Sequence, residues 1–221
     1  MSYLPCVQLD PATTASATVI WLHGLGADGH DFEPIVPDLG LPANAPVRFI
    51  FPHAPSLPVT INGGLVMPAW YDILETGLER RVDLAQLTAS ARQVERLIDR
   101  EQARGIDSRR ILMAGFSQGG AVAIQVALTY PQRLAGLLGL STYFASKDSL
   151  QADPANARLP IRLYHGNLDP MVPESIGRTS YEALVKRGYE VAYKTYPMGH
   201  SVCLEEVRDI GMWMREILSL E

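Results

Sequence analysis

A serine flanked by glycines is the first feature of this sequence that could perform covalent chemistry. Ser117 stands in Gly115-Phe116-Ser117-Gln118-Gly119-Gly120, which matches the pattern G-x-S-x-G. Glycine on either side lets a strand turn sharply into a helix, so that the serine hydroxyl is presented clear of neighbouring side chains. The pattern predicts a nucleophilic serine, and a plain glycine-rich turn is the alternative.

A serine nucleophile needs a general base and a carboxylate that orients this base. Five histidines are present, and His200 is the predicted base because it follows the last predicted strand, residues 190–196, in a strand-to-helix loop. Asp169 is the predicted carboxylate, since it follows the predicted strand 161–164. Ser117, Asp169 and His200 then occur in the order serine, acid, histidine, which is the order of the α/β-hydrolases.

The other candidates for base and acid are given different roles. His23 and His165 come at the ends of buried strands, and we expect them to bond the backbone of neighbouring loops. His53 stays open between a structural and a catalytic role, and His30 is predicted to begin an exposed helix. Asp72 is the rival for the acid, but it precedes the serine in the chain.

Acyl transfer also needs donors for the developing oxyanion. The backbone N–H of Gln118 is one predicted donor, because it would lie at a helix N-terminus. The second is the backbone N–H of Leu25, in the turn Trp21-Leu22-His23-Gly24-Leu25-Gly26 that follows an early strand. A plain glycine turn is again the alternative.

The elements that must position these residues follow from hydrophobic runs. Most apolar runs are continuous rather than alternating, which predicts a mainly parallel sheet with helices on both faces. The predicted strands cover residues 17–22, 47–51, 111–114, 134–140, 161–164 and 190–196. The predicted helices cover residues 121–128, 174–187 and 202–218, and a fourth runs between Asp83 as N-cap and Gly105 as C′ residue. Residues 52–67, rich in proline and glycine, are predicted to form a functional loop without regular structure.

The composition limits the class of protein. With 221 residues and 47% hydrophobic residues, the chain suits one domain over residues 1–221. A net charge of −5 without a basic run argues against nucleic acid as a partner. No signal peptide or membrane-spanning run is predicted, so no stable membrane insertion is expected. Cys6 and Cys203 are predicted to be free thiols, and the predicted location is the cytoplasm.

Together these residues resemble the phospholipase/carboxylesterase family, which contains acyl-protein thioesterases and small bacterial carboxylesterases. The resemblance is carried by Leu22-His23-Gly24-Leu25-Gly26, Pro68-Ala69-Trp70-Tyr71-Asp72, residues 115–120, residues 165–173 and the Gly199-His200 step. It implies a small α/β-hydrolase without a large lid domain. Such an enzyme acts on carboxylic esters or thioesters, and it needs no metal or other cofactor.

The resemblance also implies where the acyl group binds, because the segment matching residues 57–70 borders the acyl site in the family. Apolar residues there and beside Asp169 are predicted to line an acyl groove, with a place in the core as the alternative for each. They are Leu57, Ile61, Leu65, Val66, Met67, Trp70 and Met171, together with Leu25. We expect the Gly63-Gly64 pair to loosen this loop, and Met171 replaces the aliphatic residue that is usual beside the acid.

The predicted function is that of a serine carboxylesterase, which hydrolyses short- to medium-chain esters through an acyl-enzyme intermediate. An acyl-protein thioesterase or a lysophospholipase is the alternative within the same chemistry. From other classes, a metal-dependent hydrolase using residues 23–31 and a non-catalytic α/β-hydrolase relative stay open. The predicted partner is a small ester or thioester substrate, and the choice between monomer and homodimer is left open.

Overall fold

The computed structural model describes residues 3–77 and 80–220 of the chain. In chain order the strands are β1 (Cys6–Leu9), β2 (Ala17–Leu22), β3 (Val47–Pro52), β4 (Ser56–Val59), β5 (Leu65–Pro68), β6 (Ile73–Glu75), β7 (Arg81–Val82), β8 (Ile111–Phe116), β9 (Gly136–Leu140), β10 (Ile161–Gly166) and β11 (Val191–Tyr196). The α-helices are α1 (Leu84–Ala103), α2 (Gln118–Thr129), α3 (Glu174–Lys186) and α4 (Leu204–Ile217).

A seven-stranded sheet, in the order β1-β3-β2-β8-β9-β10-β11, forms the centre of the fold. Edge strand β1 pairs antiparallel with β3, and the other neighbouring strands run parallel. The predicted mainly parallel sheet is therefore confirmed. In the described residues, no large lid domain interrupts the sheet. Parallel strands bring their carboxyl ends to one edge of the sheet, and ligands bind beyond that edge in open α/β sheets.

Helices cover both faces of the sheet. Side chains along each strand alternate between these faces, so each strand contributes to two buried clusters. In β2, Ile20 and Leu22 belong to a buried cluster that includes residues of α1, α2 and α3. Val19 and Trp21, on the opposite face, belong to a second cluster with residues of α4. Helix α2 packs against the sheet almost wholly buried, which agrees with its nearly continuous apolar sequence.

The predicted helices form with shifts of up to three residues at their ends. Asp83 caps α1 as expected, because its side chain accepts a hydrogen bond from Gln86 N at 2.9 Å. Gly105, just after this helix, takes the left-handed φ of 95° that suits a glycine at C′. The prediction of a helix that begins at His30 is wrong. His30 lies in an exposed turn, and the helix that follows is a 3-10 helix over Glu33–Leu39.

The prediction of a structureless loop over residues 52–67 is also wrong. Strands β4 and β5 pair antiparallel as a hairpin, with a 3-10 turn over Thr60–Asn62 between them. The glycine pair closes this hairpin instead of loosening it. Gly63 and Gly64 have φ values of 67° and 79°, and Gly64 N donates to Val59 O at 3.0 Å. Asp72 anchors the turn by accepting hydrogen bonds from the backbone N and the hydroxyl of Thr60.

The structure also bears on the predictions about membrane insertion and domain number. None of the helices within residues 3–77 and 80–220 combines the length and apolar character needed to cross a membrane. The single domain over residues 1–221 stays a prediction, and both of its limits lie outside the described residues.

One buried acid makes the fold sensitive to pH. Glu206, in the first turn of α4, is fully buried. Burial is the main cause that raises the pKa of Glu206 to about 8, and repulsion by Asp209 adds to it. In the unfolded chain the same carboxyl ionises near 4.5. Between these two pKa values only the folded state holds the proton, so the protein loses stability as the pH rises through this window.

We therefore expect Glu206→Gln to raise the free energy of unfolding by roughly 2–4 kcal/mol near pH 8 and to change it little near pH 5. Urea unfolding at the two pH values measures this difference. Glu205→Gln is the matched control, since Glu205 is the exposed neighbour in the same helical turn. An equal effect of Glu206→Gln at both pH values would contradict the assigned cause.

Candidate active site

The strand-to-helix turn after β8 holds Ser117 in a strained conformation. Its φ of 51° and ψ of −117° place it in a region that residues with a side chain rarely adopt. Two hydrogen bonds hold the turn there: Ser117 N donates to Leu140 O at 2.8 Å, and the hydroxyl of Thr142 donates to Ser117 O at 2.6 Å. The end of β9 and the loop after it thus fix the backbone of the predicted nucleophile.

Glycines flank the serine because the backbone segments approach each other directly. A Cβ at Gly119 would lie 2.4 Å from the carbonyl oxygen of His23, and one at Gly115 would lie 2.5 Å from the carbonyl oxygen of Gly119. Both distances are far below a van der Waals contact. Only glycine therefore lets α2 start against the end of β2, where the predicted oxyanion loop begins.

In the predicted triad, Ser117 and Asp169 each lie within hydrogen-bond distance of the imidazole of His200. His200 Nε2 is 3.0 Å from Ser117 Oγ, and His200 Nδ1 is 2.6 Å from Asp169 Oδ2. The other carboxylate oxygen, Asp169 Oδ1, accepts hydrogen bonds from the backbone N–H groups of Met171 at 2.8 Å and Val172 at 2.9 Å. The ring of Phe116 packs against the imidazole of His200, with ring centres 4.7 Å apart.

The carboxyl of Asp169 is ionised in this setting. Burial acts to raise its pKa, but the hydrogen bonds from His200, Val172 and Met171 outweigh burial, and the pKa is lowered overall. A carboxylate only accepts hydrogen bonds, so His200 Nδ1 carries the proton. Its Nε2 then has a free lone pair directed at Ser117 Oγ, which is the arrangement of a general base.

The rings of three other histidines, His23, His165 and His53, bond backbone groups. His23 Nδ1–H donates to Gly24 O at 2.7 Å, and its Nε2 accepts from Ala54 N at 3.1 Å. His165 Nε2 donates to Val172 O at 2.8 Å. Burial lowers the pKa of both, so both rings are neutral. His53, whose role the sequence left open, accepts from Gly29 N at 3.1 Å.

The two predicted oxyanion donors border the same cavity as the serine. Leu25, Gln118, Ser117 and His200 all line it. Within residues 3–77 and 80–220, neither Leu25 N–H nor Gln118 N–H donates a hydrogen bond to another group. The next residue, Gly26, donates from its N to Pro68 O at 2.8 Å, which ties the loop to the end of the β4–β5 hairpin.

A buried clamp that the sequence did not predict joins these two loops. The side chain of Gln118 accepts from Trp70 N at 2.8 Å and donates to Tyr71 O at 2.6 Å. The indole N–H of Trp70 donates to His23 O at 2.9 Å. The sequence offered one signal for this role, because residues 68–72 are among the segments that carry the family resemblance.

Only part of the predicted acyl groove lines the cavity beside Ser117, whose volume is about 330 Å³. Ile61, Met67 and Met171 do line it, as does Leu25. Trp70 is not in the lining, because it is fully buried and its indole is held by the clamp. Leu57 is half-buried in β4, and Leu65 and Val66 are more than 60% exposed in β5, all outside the lining.

In the described part of the chain, the side chains that could bind a metal ion do not lie together, and this includes residues 23–31 of the metal-dependent alternative. No group of three or more His, Cys, Asp and Glu side chains there is arranged to hold a metal ion. In residues 23–31, both ring nitrogens of His23 are engaged by backbone groups. The other histidine, His30, pairs with Glu33 at 2.8 Å.

The sheet order, the strained serine turn and the order of the site residues are those of an α/β-hydrolase. Two solved structures support this class. The chain is similar to Arabidopsis thaliana SOBER1, with a TM-score of 0.86 and 31% identity over 91% of this chain and 99% of that one. It is also similar to Zea mays acyl-protein thioesterase 2, with a TM-score of 0.85 and 31% identity over 98% of this chain and all of that one.

Sequence relatives narrow the class to a family. The pattern of the family described as Phospholipase/Carboxylesterase matches residues 7–218. The acyl-protein thioesterase 1 of Gibberella zeae is 39% identical over 218 residues, which span 94% of this chain and 93% of the relative. The chain belongs to the phospholipase/carboxylesterase family. It is an enzyme of the serine hydrolase class, acting on carboxylic esters or thioesters.

The clamp leads to a prediction about catalysis. Trp70→Phe keeps an aromatic ring but leaves His23 O without its buried donor, next to the loop that holds Leu25. We expect the free energy of unfolding to fall by about 1–3 kcal/mol. We also expect kcat to fall about tenfold with little change in KM, because the donor groups are misplaced more than the substrate cavity.

Trp213→Phe is the matched control, since Trp213 is a buried tryptophan in the cluster on the other face of the sheet. It should lower stability without a selective loss of kcat. Ester hydrolysis kinetics and urea unfolding of both variants make the comparison. Equal kcat values for the two variants would show that the clamp does not position the site.

Proposed function

We propose that the chain is a serine carboxylesterase in which Ser117 is the nucleophile, His200 the general base and Asp169 the carboxylate that orients it. The observation that carries this proposal is the pair of hydrogen-bond distances through the imidazole. They are 3.0 Å between Ser117 Oγ and His200 Nε2, and 2.6 Å between His200 Nδ1 and Asp169 Oδ2. Nucleophile, base and orienting group in this geometry are the signature of nucleophilic acyl transfer.

In the acylation step, His200 Nε2 takes the proton from Ser117 Oγ as this oxygen forms a bond to the acyl carbon. The carbonyl oxygen becomes an oxyanion, which the backbone N–H groups of Leu25 and Gln118 stabilise. His200, now an imidazolium, gives its proton to the departing alcohol or thiol as the tetrahedral intermediate collapses. Asp169 stabilises this imidazolium, and its lowered pKa keeps the carboxylate charged for that task.

Deacylation repeats the same chemistry with water in place of the serine. His200 removes a proton from the water as its oxygen attacks the acyl carbon of the acyl-enzyme. The second tetrahedral intermediate uses the same two amides, and the proton returns from His200 to Ser117 Oγ as the free acid leaves. No metal or other cofactor takes part in either step.

The cavity beside Ser117 supports a short or medium acyl chain. Its volume of about 330 Å³ is near the lower end of the usual range for ligand pockets. Leu25, Ile61 and Met67 contribute apolar side chains to it, and burial of methylene groups against them is favourable. We propose that these residues bind the acyl chain.

A thioesterase is the second candidate function. The observation that favours it is the 39% identity to proteins named acyl-protein thioesterase 1 from Gibberella zeae and Neurospora crassa. The mechanism is unchanged, because only the leaving atom differs. We also propose that the enzyme acts in the cytoplasm, where the free thiols of Cys6 and Cys203 stay reduced.

Replacement of the nucleophile tests the proposal directly. We expect Ser117→Ala to lower kcat for p-nitrophenyl butyrate by about a thousandfold or more while the protein stays folded. Ser175→Ala is the control, because Ser175 is an exposed serine on α3. A fluorophosphonate probe should label the wild type at Ser117, as located by peptide mass, and leave Ser117→Ala unlabelled. A folded Ser117→Ala variant with near-normal activity would end the proposal.

A series of acyl lengths tests the substrate. We expect kcat/KM for p-nitrophenyl esters to peak at a short or medium chain, and Met67→Ala to move the peak to a longer chain because the cavity becomes larger. Val66→Ala is the control, since Val66 is the exposed neighbour outside the cavity. Matched thioesters compare the two leaving atoms, and a strong optimum at long-chain acyl-protein thioesters would refute the carboxylesterase reading.

A further inference from the structure

A second cavity lies next to the catalytic one, and Arg80 lines both of them. Its volume is about 420 Å³. Among the residues that the structure describes, the charged side chains in its lining are those of Arg80, Arg81, Lys147 and Asp148. In a protein whose net charge is −5, three cations around one cavity are a local excess of positive charge. We call this the basic cavity.

The charge of Arg80 is not neutralised by a carboxylate in the described part of the chain. One of its terminal N–H groups donates to Met171 O at 2.8 Å, and its guanidinium lies 4.8 Å from the ring centre of Tyr143. Its Nε–H is buried and has no acceptor among the described residues. A carbonyl and an aromatic face thus hold the guanidinium in place, and its remaining terminal N–H groups have no carboxylate partner among the described residues.

The other two cations are only weakly paired. Lys147 lies 3.3 Å from Asp148, whose side chain is 89% exposed, and Arg81 pairs with Glu75, where both side chains are more than half exposed. Exposed pairs of this kind contribute little energy and exchange readily for another anion. The basic cavity therefore presents up to three cations to an anionic group.

The position of Arg80 indicates which part of a substrate would reach it. Its acceptor, the carbonyl of Met171, belongs to the residue whose own N–H donates to Asp169. Arg80 thus lies on the side of the acid and of His200, which delivers its proton to the leaving group. Ile61, on the β4–β5 hairpin, belongs to the apolar part of the catalytic cavity, which we assign to the acyl chain.

We propose that the basic cavity is a subsite for an anionic group, a carboxylate or a phosphate, on the alcohol or thiol part of the substrate. Arg80 contacts the anion at the entrance from the catalytic cavity, and Arg81 and Lys147 surround it further out. A guanidinium fork suits both groups, because it offers two parallel N–H donors to two oxygens. This inference rests on the proposed function, since it needs an ester bond at Ser117.

Matched pairs of esters test the subsite. The p-carboxyphenyl and p-carbamoylphenyl esters of butyric acid differ in one charge and little in shape, so the ratio of their kcat/KM values reports the anion. We expect the wild type to favour the carboxylate about tenfold at low salt, with the preference falling as NaCl is added. A p-phosphonooxyphenyl ester of butyric acid tests whether the cavity also accepts a phosphate. The monophenyl ester of glutaric acid, with its anion on the acyl side, should not be favoured over phenyl butyrate.

Substitutions in the lining test whether the basic cavity causes the preference for the carboxylate ester. Lys147→Gln should reduce the carboxylate preference about threefold, because Lys147 lines the basic cavity and not the catalytic one. Arg80→Lys should reduce the preference further, since an ammonium group cannot bond two oxygens in parallel. Arg158→Gln removes an equal charge from an exposed residue that lines neither cavity, and it should change nothing.

Binding to Ser117→Ala separates this inference from the proposed function. In that variant, p-hydroxybenzoate should bind about tenfold more tightly than p-hydroxybenzamide, and addition of Lys147→Gln should reduce the difference. This measurement decides on the subsite even if the esters are not hydrolysed. Equal affinities of the two ligands, or a carboxylate preference that Lys147→Gln and Arg80→Lys leave unchanged, would overturn the subsite. Loss of ester hydrolysis alone would count only against the proposed function.

Discussion

The contact on which the site depends is the direct approach of two backbone segments, where α2 begins beneath the end of β2. A Cβ at Gly119 would lie 2.4 Å from His23 O, so the helix can start there only with glycine. The same turn holds Ser117 at a φ of 51°. Strain of this kind persists only when the surroundings enforce it, and here Leu140 at the end of β9 and Thr142 in the loop that follows do so. The position of Ser117 and the loop that holds Leu25, the proposed oxyanion donor, are thereby fixed relative to each other.

Other parts of the site are attached to this turn by hydrogen bonds between segments that are distant in sequence. The side chain of Gln118 holds Trp70 and Tyr71, and Trp70 in turn holds the carbonyl of His23. On the opposite side, the loop after β10 turns its backbone N–H groups onto Asp169, which orients His200. The result is a set of rigid loops at the carboxyl edge of one sheet, with a small apolar cavity between them.

Sequence patterns predicted the parts of this structure that depend on local physics. Continuous apolar runs identified the buried strands β2, β3, β8, β9 and β10, since helices cover both faces of the sheet. Edge strand β11 was predicted as well, although residues 191–195 alternate between half-buried and exposed. The β4–β5 hairpin was missed because its proline and glycine content is typical of loops, and half of its strand residues are exposed. Edge strand β1 was missed as well, since it is only four residues long and half-buried. The predicted acyl groove was too broad, because an apolar residue in a loop can face a cavity, the core or solvent.

The sequence by itself determined the order of the three candidate catalytic residues along the chain. A glycine-flanked serine comes first, then an acid and then a histidine, and each follows a strand of a parallel sheet. The sequence could predict that these residues lie close together, because parallel strands bring their carboxyl ends to one edge of the sheet, whatever the details of packing. Only the tertiary structure decided that His53 accepts a hydrogen bond from a backbone N–H, that Trp70 belongs to a clamp, and that Arg80 lines two cavities. These outcomes depend on contacts between residues far apart in the chain, for which no local pattern carries a signal.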